Sequence, residues 1–146
     1  MIRAAGYAIV FNTPSVVMGQ LIETIDPTAL DALGDLNDLD VRLLIEHDQD
    51  RVVARTTNGT LQLFTDEHGV GYRAALDPTD PDVQTFAARN TKGLINQMSF
   101  GFRQGKQRKW TEGQHQRAHV TEIAELFEIS IVSLPAYPST SIEVHQ

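Results

Sequence analysis

The chain has 146 residues, of which 41% are hydrophobic and 21% charged, with a formal net charge of −7. These values are typical of a soluble globular protein, and the length suits one domain over residues 1–146 that buries roughly two-thirds of its unfolded surface. The absence of cysteine excludes disulfides, thiolate metal sites and thiol nucleophiles. No apolar run approaches the roughly 18 residues of a membrane span, and residues 1–6 lack the pattern of a signal peptide, so we expect a cytoplasmic chain without a membrane partner.

The negative charge is concentrated early in the chain, with a surplus of carboxylates between Glu23 and Asp50. This surplus argues against a nucleic-acid-binding face. Four cations fall within residues 103–109, and we interpret this basic stretch as the solvated tip of a hairpin rather than as a polyanion site. No nucleic-acid partner is therefore expected.

Short apolar or alternating segments between turn residues predict a chain made mostly of β-strands. The pair Asn58-Gly59 predicts a tight hairpin between two of them. The predicted strands cover residues 6–11, 16–25, 41–45, 52–55, 61–64, 70–76, 100–103, 109–111, 117–123 and 126–134.

Two helices are predicted between the strands. Asp26 followed by Pro27 indicates a helix start, and this short helix is expected to end near Leu33. The second helix is predicted over residues 82–92, with Gly93 as its C-cap. Many short strands with few helices indicate a mainly β (α+β) fold, built as a single closed or nearly closed antiparallel barrel.

Ser99 lies in the stretch 96–102, between bulky apolar neighbours and two residues before Gly101. The predicted helix ends just upstream, and Phe100 and Phe102 alternate with smaller or polar residues as in a strand. We expect Ser99 where a helix passes into a strand, a place that fixes a side chain and still lets it reach a cleft. It is a candidate nucleophile if a base and an orienting group accompany it, and a structural hydroxyl otherwise.

His47 directly follows the apolar strand 41–45, within the polar turn 46–50. Its ring can therefore leave the core and reach a cleft, where it would be a candidate base. The alternative interpretation is an ordinary surface histidine of a turn.

Glu128 interrupts the strongly apolar run 126–134. Strict alternation places it on one face of the strand with Leu126, Ser130 and Val132. A carboxylate in such surroundings needs a partner, and a histidine would satisfy it while having its own tautomer fixed. The alternative is an outward-facing glutamate on a half-exposed strand.

His115 and His119 have the spacing of two zinc ligands on a helix. Gln116 stands where that motif needs a glutamate base, and the surrounding sequence predicts a hairpin instead of a helix. On a strand, residues four apart are roughly 13 Å from each other, too far to share one ion. Metal-assisted hydrolysis thus remains only an alternative, and we expect neither metal nor cofactor.

Five segments in the same order along the chain resemble the HK97-type prohead maturation proteases of tailed bacteriophages. Taken one at a time they are modest signals, but together they extend over nearly the whole chain. The segments are 6–12 (GYAIVFN), 41–48 (VRLLIEHD), 55–61 (RTTNGTL), 98–102 (MSFGF) and 126–132 (LFEISIV), the last followed by 135–138 (PAYP).

The resemblance implies a serine endopeptidase with a barrel like that of herpesvirus assemblin. Family members act inside the immature capsid in the bacterial host and remove the scaffolding segment of the major capsid protein, often cleaving themselves as well. By position, His47 matches the family's histidine and Ser99 its serine. The third residue of the catalytic triad is expected to be Glu128, at the position where assemblin relatives have a second histidine. Glu125 is the alternative.

The same resemblance gives three further expectations. Assemblin relatives are active as dimers, so a homodimer is expected. Many members of the family continue beyond the position of Pro138 with a charged tail, so we expect this chain to be a trimmed or self-processed form. A capsid-associated scaffolding barrel that kept the fold and lost activity is the non-enzymatic alternative.

Overall fold

The computed structural model describes residues 1–145. One α-helix, α1 (Pro81–Thr91), and three short 3-10 helices (Asp31–Leu33, Leu36–Asp38 and Thr56–Asn58) accompany the strands. The strands of this part of the chain are β1 (Ile2–Val10), β2 (Leu21–Ile25), β3 (Arg42–Ile45), β4 (Asp48–Arg55), β5 (Leu61–Thr65), β6 (Gly69–Leu76), β7 (Gln97–Glu112), β8 (His115–Val132) and β9 (Glu143–His145). The prediction of a mainly β chain with few helices is correct.

The strands form two sheets. The first has four antiparallel strands in the order β5-β6-β1-β9. The second is built around β8, which pairs with β7 along one edge and with β2 and then β3 along the other, while β4 pairs with β3. The predicted closed or nearly closed antiparallel barrel is therefore wrong. Neither sheet closes on itself, and β2 and β3 run parallel to β8.

One hydrophobic core draws buried side chains from both sheets. At the start of β1 the side chains alternate, with Ile2 and Ala4 buried and Arg3 exposed between them, as the period of two in a strand requires. The second sheet contributes apolar residues such as Leu43 and Ile129 to the same core. Burial of one face of each sheet is what makes the alternating sequence pattern so visible.

The chain from 97 to 132 is one long hairpin, not the four separate strands predicted. Its turn is at residues 113–114, where Gly113 has φ 63°. The basic stretch 103–109 lies in the middle of β7 and is not a hairpin tip. Several register shifts between β7 and β8 interrupt the alternation, which explains why the sequence pattern suggested breaks.

Two predicted local structures differ from those observed, and one is confirmed. Asn58 ends a 3-10 helix that carries the chain from β4 in one sheet to β5 in the other, so no hairpin forms there. The helix predicted from Asp26 is reduced to a turn and the 3-10 helix 31–33. Helix α1 forms as predicted within one residue at each end, with the Asp80 side chain accepting a hydrogen bond from the N–H of Asp82. No helix in residues 1–145 has the length and apolar character needed to cross a membrane.

A single hydroxyl fixes the start of β7. Thr140, in the segment between β8 and β9, accepts a hydrogen bond from the Met98 N–H (3.0 Å) and donates one to the Met98 carbonyl (2.9 Å). Both groups are buried, so this bridge satisfies backbone atoms that have no strand partner on that side. It holds the residue next to Ser99.

Replacing Thr140 by valine should lower the free energy of unfolding by about 1–3 kcal/mol, because the buried Met98 N–H and carbonyl lose their only side-chain partner in the described structure. Urea unfolding measures the change. Thr91→Val is the control, since Thr91 is exposed at the end of α1, and it should change stability by less than about 0.5 kcal/mol. Equal effects of the two substitutions would contradict a special role for the Thr140 bridge.

Candidate active site

Ser99 is the third residue of β7, so it lies inside the strand and not where a helix passes directly into it, because α1 already ends at Thr91. It pairs directly with Ser130 of β8, which in turn pairs with Leu44 of β3. The next row of the same sheet holds Gly101, Glu128 and Arg42 in the same way. Residues two apart on a strand share a face, so Ser99 and Gly101 lie on the same side as Ser130 and Glu128.

His47 lies in the two-residue turn between β3 and β4. Glu46 and His47 both have positive φ (52° and 56°), which is the left-handed region that a type I′ hairpin turn requires. Asparagine and glycine normally occupy such a turn, and each bulky residue there costs on the order of 1–3 kcal/mol. Strain of this kind is kept where the surrounding structure enforces it.

The surroundings enforce it here through Glu46. Its N–H donates to the Ile131 carbonyl (2.8 Å), and its Oε1 accepts a hydrogen bond from the N–H of Ser133 (2.7 Å). The turn is thereby attached to the end of β8, which is far away in sequence but pairs with β3 in the sheet. His47 is held above β8 as a result.

Glu128 is buried, with 6% of its surface exposed, and both of its oxygens have partners. Nδ1 of His47 lies 2.6 Å from Oε1, and the Ser130 hydroxyl donates to Oε2 at 2.5 Å. An ionised carboxylate only accepts hydrogen bonds, so Nδ1 of His47 carries the proton and Nε2 of the neutral ring is left as an acceptor. The expectation that a histidine satisfies Glu128 agrees with this geometry.

The alternation predicted around Glu128 is wrong at one position. Gly101 pairs with Glu128 and Phe102 pairs with Leu126, so Phe127 is left without a partner in β7 and is 43% exposed. Leu126 consequently packs in the core and not on the face of Glu128. A bulge of this kind shifts the side-chain alternation by one residue.

Glu125, the alternative candidate for the third residue of the triad, contacts Arg103. Both Nε and Nη2 of Arg103 contact its Oε1, at 2.9 and 2.8 Å, and its side chain is half exposed. The structure thus brings together His47 and Glu128, with Ser99 on the neighbouring strand. No hydrogen bond joins Ser99 to His47 within residues 1–145, and in enzymes without substrate this bond is often long.

Sequence reasoning missed two supports of this cluster. In the sequence Glu46 is only one residue of a polar turn, and its bond to Ser133 joins residues 87 positions apart, which no local pattern reveals. The sequence shows a glycine at position 101 but gives no reason for its small size. Ser130 was placed on the face of Glu128, where it is observed.

His119 has a structural role in the described chain. Its Nδ1 is 2.7 Å from the Thr24 hydroxyl and its Nε2 is 2.9 Å from Oδ1 of Asp26. The Thr28 hydroxyl and N–H, and then His119, lower the pKa of Asp26 to about 2. Both ring nitrogens are occupied, and no group of three histidine, aspartate or glutamate side chains suited to a metal occurs in residues 1–145.

Comparison with known proteins identifies the family of the chain. The chain belongs to the caudovirus prohead serine protease family, whose model matches residues 1–146. The resemblance found in the sequence is therefore confirmed. A comparison with curated protein sequences gives no match.

Solved herpesvirus proteases have a similar fold. Kaposi's sarcoma herpesvirus (KSHV) protease in complex with a hexapeptide phosphonate inhibitor matches with a TM-score of 0.61 and 14% identity, over 99% of this chain and 65% of that one. The same virus's protease with an allosteric inhibitor gives 0.56 and 13%, over 100% and 76%. Varicella-zoster virus protease gives 0.51 and 12%, over 98% and 63%. The chain thus spans between 63% and 76% of the length of these proteases.

Acid should destabilise the protein partly through Asp26. A carboxyl whose pKa falls from 3.8 to about 2 on folding stabilises the fold above pH 3.8, and this contribution is lost as the pH falls toward 2. Asp26→Asn should therefore be less stable than the wild type at neutral pH and lose less stability between about pH 4 and pH 2. Urea unfolding across this range measures it.

The control is Asp38→Asn, at an exposed position of a 3-10 helix. It should keep the wild-type dependence on pH. If Asp26→Asn and Asp38→Asn gave the same pH profile, the contacts of Asp26 with Thr28 and His119 would not contribute as described.

Proposed function

We propose that the chain is a serine endopeptidase in which Ser99 is the nucleophile, His47 the general base and Glu128 the carboxylate that orients His47. The observation that carries this proposal is the 2.6 Å contact between His47 Nδ1 and the buried Glu128, one strand away from Ser99. Membership of the prohead serine protease family supports the same reaction class.

In the first half of the reaction, Ser99 Oγ attacks the scissile carbonyl while His47 Nε2 takes its proton. The tetrahedral intermediate collapses as His47 returns the proton to the leaving amine, and an ester to Ser99 remains. In the second half, His47 takes a proton from water, the hydroxide attacks the ester, and the proton returns to Ser99. Glu128 stays ionised and stabilises the imidazolium that forms twice.

The members of the cluster differ in exposure, and the proposed nucleophile Ser99 is itself buried, with 8% of its surface exposed. The His47 side chain is 46% exposed, so its free Nε2 can be reached, whereas the Glu128 side chain is 8% exposed and shielded from water. A shielded carboxylate interacts more strongly with a developing imidazolium than an exposed one does.

The proposed substrate is the scaffolding segment of the phage major capsid protein, and the protease itself is a second one. The proposed place of action is the interior of the prohead in the host cytoplasm, and the proposed active form is a homodimer. These proposals follow from family membership and from the resemblance of the fold to herpesvirus proteases.

Co-expression with the major capsid protein of the same phage should give a shortened capsid protein with wild-type enzyme and none with Ser99→Ala. The substitution removes the attacking oxygen, and a fall in rate of about 10⁶-fold is typical of a lost nucleophile. Intact mass spectrometry of the capsid protein measures the cut.

Ser139→Ala is the matched control, since Ser139 is an exposed serine whose hydroxyl only contacts Thr13. It should cut like the wild type. Undiminished cutting by a folded Ser99→Ala variant would overturn the proposal and favour a different hydrolase, whereas no cutting by the wild-type chain would favour a capsid-associated scaffolding protein without activity.

Glu128→Gln and Glu125→Gln separate the two candidates for the third member. Glu128→Gln removes the negative charge that stabilises the imidazolium of His47. It also replaces a carboxylate, which only accepts hydrogen bonds and so fixes the tautomer of His47, by an amide that can also donate, so kcat should fall by up to about 10⁴-fold. Glutamine at position 125 only weakens an exposed ion pair with Arg103, worth at most about 1 kcal/mol, and should leave kcat within about twofold. The reverse order would exclude Glu128 from the role.

A further inference from the structure

The carboxylate of Glu128 lies directly against the backbone of Gly101, its partner across β7 and β8. A methyl group at position 101 would be 2.6 Å from Glu128 Oε1, 3.1 Å from Cδ and 3.2 Å from Cγ. Carbon and oxygen atoms that are not bonded to each other do not approach to 2.6 Å without displacing one another. The glutamate occupies the space that any other residue at position 101 would fill.

The crowded oxygen is the one that contacts His47. Oε1 accepts from Nδ1 of His47, and the other oxygen, Oε2, is held by the Ser130 hydroxyl. The Glu46 contacts fix the turn that carries His47, so the ring cannot simply follow a displaced carboxylate. A side chain at position 101 would thus separate Oε1 from His47.

Backbone conformation does not explain this glycine. Gly101 is not among the glycines with positive φ, so alanine fits its backbone. Its neighbour Phe100 belongs to the hydrophobic core and Phe102 packs against it, with their ring centroids 5.2 Å apart. A side chain at position 101 would therefore point to the opposite face of the strand, where Ser99 and Glu128 lie.

We propose that Gly101 is a positioning residue of the protease: its missing side chain makes the space in which the Glu128 carboxylate meets His47. The proposal rests on the proposed function, since it assigns Gly101 an effect on catalysis through Glu128. It explains why a glycine follows the candidate nucleophile by two residues, where strand alternation directs the next side chain to the same face as Ser99.

The chain provides a matched control at Gly105. It lies on the same strand, also lacks positive φ, and a methyl group there would be 2.8 Å from Oε1 of Glu122. Glu122 only faces Lys106, at 3.9 Å, and lies outside the cluster of Ser99, His47 and Glu128. Gly105→Ala therefore imposes the same kind of contact without touching that cluster.

The activity test is the rate at which Ser99 reacts with a fluorophosphonate probe, in which the serine oxygen bonds to phosphorus, fluoride leaves and His47 takes the proton. Gly101→Ala should react about 10²-fold more slowly than the wild type, the cost of misplacing a catalytic group by about 1 Å. Gly105→Ala should react within about twofold of the wild type.

A double-mutant cycle with Glu128→Ala tests whether the effect passes through the carboxylate. With Glu128 already shortened, Gly101→Ala should slow the reaction no further, because the two substitutions remove the same contact. Additive effects would overturn the proposal. If Gly101→Ala alone did not fold, the double variant Gly101→Ala/Glu128→Ala would still test the proposal. A folded double variant would support a clash between residue 101 and Glu128, and an unfolded one would contradict it.

A readout without catalysis separates this proposal from the proposed function. In a Ser99→Ala background, ¹⁵N NMR of neutral His47 should show the proton on Nδ1, and adding Gly101→Ala, but not Gly105→Ala, should reduce that tautomer. An unchanged tautomer in all three proteins would overturn the role of Gly101 even if Ser99 is the nucleophile. A changed tautomer would support it even if Ser99 is not.

Discussion

The arrangement around Glu128 depends on the cost of burying a carboxylate. Removing such a group from water costs several kcal/mol unless hydrogen-bond donors replace the lost solvent. Here the donors come from two places, Ser130 on the same strand and His47 on the turn between β3 and β4. The parallel pairing of β3 with β8 must therefore be in one register, since a slip of β3 by one residue would turn its side chains to the opposite face relative to Glu128.

The turn that carries His47 shows how the fold accepts local strain. Two bulky residues with positive φ are unfavourable in an isolated hairpin. The contacts of Glu46 with Ile131 and Ser133 hold the turn against β8, and the His47 contact with Glu128 is added to them. A turn sequence such as Asn-Gly would relieve this strain, but it would have no imidazole to offer. The contact of His47 with Glu128 and the local conformational preference thus conflict at this turn.

The open second sheet and the cluster of Ser99, His47 and Glu128 both result from the way β8 pairs with its neighbours. Because β8 is 18 residues long and bulged, it can pair with β2 near its start and with β3 near its end on a single edge. That arrangement places residues from β3, β7 and β8 in adjacent rows, and parallel neighbours replace the purely antiparallel sheet that a simple barrel needs. The predicted barrel failed because strand order and direction depend on contacts between segments far apart in sequence.

Local sequence patterns were enough to predict the strands with clear alternation and helix α1, and they pointed to His47, Ser99 and Glu128 as candidate site residues. These predictions depend on local chemistry: apolar periodicity, turn residues, and a polar residue in an apolar run. The contacts of Glu128 with His47 and of Glu125 with Arg103 became evident only from the folded chain, because a bulge at Phe127 shifts the side chains on either side of it. The reason for Gly101 was likewise invisible in sequence, since the atom that needs its space belongs to another strand.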